Sequence, residues 1–193
     1  MNLKKKLLAG VGVATLAGMS VLAGPAFAVT PVNGTGNASC SHLTGSIKFS
    51  PAYKNGGTAT STTITVKTTA TNCSASGGNV TTITKIQSKG SSHGTSNDCS
   101  SLTSPSSNPL TVTSKYKATP KINPSTTVFT STTPGVSGSD ATFTVAGSNT
   151  AGSFNGNAVS ATANVGPIAN IVSKCGSNGG LKSLKIVSGN LSS

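Results

Sequence analysis

The chain has 193 residues, of which only 8% are charged, and its 14 basic residues are all lysine. Asp98 and Asp140 are the only acidic residues, so few groups are available for general acid–base catalysis. Because arginine and tryptophan are absent, the chain lacks the bidentate phosphate contacts and much of the base stacking used in specific nucleic-acid recognition. The composition therefore argues against an enzyme and against a specific nucleic-acid-binding protein.

The first 28 residues have the pattern of a secretory signal peptide. Residues 4–6 are lysines, residues 7–24 are mostly apolar, and Ala28 ends an Ala-x-Ala cleavage motif. Removal of these 28 of the 193 residues leaves an exported chain of 165, in which 11 lysines and two acids give a net charge of +9. We expect a flexible leader at 29–39, one domain at 40–193 and no further membrane span.

All four cysteines, Cys40, Cys73, Cys99 and Cys175, follow the expected cleavage site. An even number of cysteines in an exported chain indicates disulfides, and three pairings are possible. We favour Cys40–Cys73, which would join neighbouring antiparallel strands, and Cys99–Cys175, which would close a long loop. A metal site is the alternative, but no cysteines have Cys-x-x-Cys spacing and neither histidine completes a zinc motif. We therefore predict no metal and no cofactor.

Short alternating segments rich in valine, isoleucine and threonine follow the leader, separated by glycine, asparagine and proline. In the segment 62–71, for example, Ile64 and Val66 lie on one side of the strand. The predicted strands are 44–49, 62–71, 80–88, 110–117, 128–129, 141–145, 158–165, 168–174 and 181–187. Eight or nine such strands without a substantial helix predict an all-β protein with two disulfides. We expect an antiparallel β-sandwich, immunoglobulin-like or jelly-roll-like, or a related barrel.

The polar segment 89–109 contains the residues that come nearest to a catalytic set. His93 and Asp98 could form a Ser-His-Asp hydrolase with one of many serines, but no Gly-x-Ser-x-Gly motif is present. Asp98 is also explained as a turn residue beside Cys99. We therefore predict no catalytic residues and keep two alternatives. One is a secreted hydrolase that uses His93 and Asp98, and the other is an inhibitor-like ligand that presents the 89–109 loop.

The excess of lysine predicts a partner that carries negative charge. The lysines are scattered along the chain, with one small cluster at Lys115, Lys117 and Lys121. This distribution favours loose attachment to acidic polymers of the cell envelope over a specific nucleic-acid site.

Five segments of the mature chain form a recognisable series. They are 45–51 (GSIKFSP), the strand end Asn72-Cys73, the stretch 90–102, 152–156 (GSFNG) and 175–189, which ends in LKSLKIVSG. In this order they resemble a group of uncharacterised secreted proteins of actinobacteria. The resemblance covers nearly the whole mature chain and implies export and a β-sandwich-like fold, but no activity. The sequence thus predicts a secreted, non-enzymatic structural or binding protein that acts at or outside the cell envelope.

Overall fold

The computed structural model describes residues 29–193, so the predicted signal peptide at 1–28 lies outside the described residues. Threonine-, valine- and isoleucine-rich segments form the strands, and glycine-, asparagine- and proline-containing segments connect them. The nine strands are β1 Asn37–Tyr53, β2 Thr62–Ser76, β3 Thr82–Gly94, β4 Leu110–Thr119, β5 Ser125–Ser137, β6 Asp140–Gly152, β7 Ala158–Pro167, β8 Leu181–Ile186 and β9 Ser188–Ser192. A short 3-10 helix covers Cys99–Thr103, and one α-helix, α1, covers Ile168–Cys175.

The strands form one antiparallel sheet that closes on itself. Their hydrogen-bonded order is β2-β3-β4-β5-β6-β7-β9-β1-β8, and β1 pairs in addition with β2. Strands β1–β7 and β9 therefore surround one interior, while β8 pairs with the second half of β1. Side-chain alternation turns Leu43, Ile86, Phe129 and Ala161 into this interior, where they are buried. The all-β antiparallel fold class, with nine strands and two disulfides, is confirmed.

One end of the closed sheet, which we call the lower end, lies where β1 begins and is filled by side chains. Phe154 is buried there and meets Tyr116 edge-on, with ring centroids 5.4 Å apart. The segment before β1 packs over it, because the Phe154 N–H donates to the Gly34 carbonyl at 2.7 Å. The Gly34 N–H in turn donates to Ser153 Oγ at 2.9 Å. These bonds seal the lower end.

The upper end, where β1 finishes, is covered by residues 95–109, which we call the lid. Asn97 is buried at its start, where the side-chain amide donates to the Ala52 carbonyl at 3.0 Å. Ser106 near its end exchanges two backbone hydrogen bonds of 2.8 Å with Thr132 of β5. The lid is thus fastened to the sheet on both sides.

Two expectations differ from the structure. The strand predicted at 168–174 is wrong, because these residues form α1. Ile168, Ile171 and Cys175 recur at helical spacing and are at least partly buried. The helical period was overlooked because isoleucine and valine are residues typical of strands. Pro167 precedes the first turn, which proline tolerates. The leader expected at 29–39 enters β1 at Asn37, and its residues 32–34 are hydrogen-bonded to the body.

Candidate functional site

Both predicted disulfides are present. Cys40 and Cys73 face each other in the register of β1 and β2. Cys99 and Cys175 join the lid to the last residue of α1 and enclose a sequence separation of 76 residues. Because such bonds form and persist in oxidising surroundings, they characterise a protein of non-cytoplasmic compartments.

The structure places the two residues of the hydrolase hypothesis in different elements, His93 on β3 and Asp98 in the lid. His93 is exposed on β3, next to the buried Ser92 that alternation turns inward. Asp98 Oδ1 accepts a hydrogen bond of 2.8 Å from the Ser100 N–H. This bond, followed by others from the Ser100 hydroxyl and the Gly56 and Gly57 amides, holds the pKa of Asp98 below its usual range. Within residues 29–193 no hydrogen bond joins His93 to Asp98, and the carboxylate instead caps the 3-10 helix in the lid.

The two tyrosines point into the interior rather than to solvent. Tyr53 packs edge-on against Phe49 with ring centroids 4.7 Å apart, and Tyr116 shares a hydrogen bond with the buried Ser125. Burial raises the pKa of both phenols, because it disfavours the charged form.

These raised pKa values predict a loss of stability in alkali. The folded state retains the phenol proton more strongly than the unfolded chain, so this contribution is present below about pH 10 and disappears as pH rises through the folded-state pKa. Urea unfolding at about pH 8 and about pH 11 should show a smaller decline for Tyr116→Phe than for the wild type, because the variant has no phenol to ionise. An equal decline in both proteins would mean that Tyr116 does not contribute.

The lysines, scattered in sequence, gather on one outer face of the folded chain. Strands β1, β2, β3, β4 and β8 are neighbours in the sheet, and seven of their eight lysines, all but Lys182, alternate with inward side chains. We call this set the lysine face: Lys48, Lys67, Lys85, Lys89, Lys115, Lys117 and Lys185. Two pairs face each other directly across strands, Lys67 with Lys89 and Lys85 with Lys117.

Neither of the two acids of the chain neutralises the lysine face. Asp98 lies in the lid, and Asp140 begins β6, where it accepts a 3.1 Å hydrogen bond from Asn164. Facing like charges oppose strand pairing, so the two lysine pairs are not explained by stability of the fold. Alternation could have indicated from sequence that these lysines point outward. Their grouping could not be seen, because it depends on which strands pair.

No group of three or more metal-ligating side chains occurs in the part of the chain that the structure describes. No helix of residues 29–193 is both long and apolar enough to cross a bilayer. Comparisons with protein-family models, curated proteins and solved structures found no match for this chain.

Proposed function

We propose that the chain is exported by its first 28 residues and acts as a non-enzymatic binding protein at the cell envelope, held on acidic polymers by the lysine face. The proposal includes kinship with the secreted actinobacterial proteins that the sequence resembles. The observation that carries it is the facing of Lys67 with Lys89 and of Lys85 with Lys117 on a surface without an acidic side chain.

The spacing of these lysines supports a linear polyanion as the partner. Lys67 faces Lys89 on one side and Ser46 on the other, and Ser46 also faces Lys185, so one row of charge crosses β8, β1, β2 and β3. Neighbouring strands are about 4.8 Å apart. A chain of phosphodiesters or carboxylates lying across the strands could meet several ammonium groups at once. Its charge would relieve the repulsion between the lysines and release counterions.

The test is binding of purified poly(glycerol phosphate) by the disulfide-bonded protein across a salt series. We expect the variant Lys67→Thr/Lys89→Thr to lose affinity on the order of tenfold at low ionic strength and to show a weaker salt dependence. Its stability should be unchanged or slightly higher, because the substitution removes a facing pair of like charges.

The matched control is Lys54→Thr/Lys174→Thr. It also removes two positive charges, but at the upper end and outside the lysine face. It should bind nearly as the wild type does. Equal losses in the two variants would show that only net charge matters, and no binding at low salt would overturn the proposal. Double-stranded DNA of similar charge, tested in parallel, distinguishes preference for the flexible polymer from indiscriminate polyanion binding.

A further inference from the structure

The closed sheet surrounds a partly open cavity of about 390 Å³ between the lower end and the lid. This volume lies within the range of small-molecule sites, about 300–1,000 Å³. Strands β7, β9, β1 and β2 form one wall, with Ala161, Leu191, Leu43 and Val66 among its apolar side chains. The cavity is thus part of the main core and not a surface groove.

The opposite wall, formed by β3–β6, concentrates hydroxyl and amide groups. Most of these groups satisfy one another. Ser88 Oγ and Ser114 Oγ lie 2.8 Å apart, and Ser92 Oγ donates to the Pro109 carbonyl at 2.8 Å. Each of these bonds already uses the donor of one hydroxyl group.

Asn149 adds an amide donor to this wall. The residue is 3% exposed and lines the cavity, and its Oδ1 accepts a hydrogen bond from Thr127 Oγ1. Its side-chain nitrogen donates to no group among residues 29–193. Every fully enclosed side-chain nitrogen or oxygen in that range has a partner, so the Asn149 nitrogen must border open space, and the space beside it is the cavity.

No lysine, aspartate or histidine lines the cavity, and both tyrosines at its surface are held in the neutral form. An anionic ligand would lose its hydration without gaining an ion pair, which is costly. We infer that the cavity is a binding site for an uncharged, mainly apolar small molecule with one hydrogen-bond acceptor, such as a carbonyl, directed at Asn149. This site is separate from the lysine face, so the proposal of a cavity ligand and the proposal of polyanion binding can be overturned independently.

The inference can be tested with Nile red, an uncharged dye that has a carbonyl and fluoresces in apolar surroundings. The disulfide-bonded protein should bind one dye per chain. Methyl hexyl ketone should displace it at least about tenfold more effectively than octanoate at neutral pH, because the carboxylate cannot be desolvated without a partner. No dye binding, or equal displacement by the ketone and octanoate, would overturn the inference.

Variants locate the dye. Ala161→Leu fills the cavity and should weaken dye binding about tenfold or more, whereas Ala146→Leu, exposed on the outside of β6, should leave it unchanged. Asn149→Leu should weaken the ketone about tenfold while the protein stays folded by circular dichroism. If the Ala161→Leu variant unfolds, the Asn149→Leu variant still tests the site. An unchanged affinity of Asn149→Leu for the ketone would contradict the role given to this amide.

Discussion

Replacing Cys99 and Cys175 together by serine is expected to lower the free energy of unfolding by about 4 kcal/mol. The disulfide closes a segment with a separation of 76 residues, which contains β4–β7, so its loss greatly increases the freedom of the unfolded chain. Urea unfolding of the double variant and the wild type, followed by circular dichroism, measures the difference. A change below about 1 kcal/mol would show that the chain-entropy account does not apply here.

The matched control is Cys40→Ser/Cys73→Ser, which removes the bond between β1 and β2. Its separation is 33 residues, so a loss of about 3.5 kcal/mol is expected from the same model. Only the Cys99–Cys175 bond is attached to the lid, so only the Cys99/Cys175 variant loosens it. The Cys40–Cys73 bond joins β1 and β2, which remain paired by their hydrogen bonds when it is removed. Limited proteolysis should therefore cut residues 95–109 faster in that variant alone. Equal cleavage in both would show that the disulfide does not hold the lid.

Local patterns were sufficient for most of the fold. Alternation in β2 and β4 follows from the strand period, and the Cys40–Cys73 pair follows from antiparallel pairing of two strands joined by one turn. The helix at Ile168–Cys175 was missed because isoleucine and valine favour strands, although their three- and four-residue spacing was helical. In this segment packing against the sheet outweighs local propensity.

The candidate sites depend on contacts that no local pattern contains. Lys67 and Lys89 face each other only because β2 pairs with β3 in one particular register. Thr127 likewise faces Asn149 because of the register of β5 and β6. The cavity additionally requires the contact between β1 and β2 that closes the sheet. A serine- and threonine-rich sequence also conceals which hydroxyl groups point inward, because both faces of a strand carry them.

The tight turn that follows β6 gives the last prediction, a large effect from adding one methyl group. Gly152 has φ +79°, and a Cβ placed there would lie 1.9 Å from the Pro124 carbonyl oxygen. The neighbouring Ser153 is fully buried and bonds to the Asn123 carbonyl at 2.7 Å and to the Gly34 N–H at 2.9 Å. A shift of this backbone therefore disturbs the seal of the lower end.

Gly152→Ala should consequently lower the free energy of unfolding by about 3 kcal/mol or more, of which about 1–2 kcal/mol is the cost of a left-handed backbone and the rest arises from the clash. Gly138→Ala is the matched control, since Gly138 has φ +62° but nothing within 4 Å of an added Cβ. It should cost about 1–2 kcal/mol, because only the cost of the left-handed backbone applies. Comparing the urea unfolding of the two variants separates the cost of the left-handed backbone from the cost of the clash. Equal losses would mean that the lower end yields to the methyl group, and that the approach of Gly152 to Pro124 does not hold the seal in place.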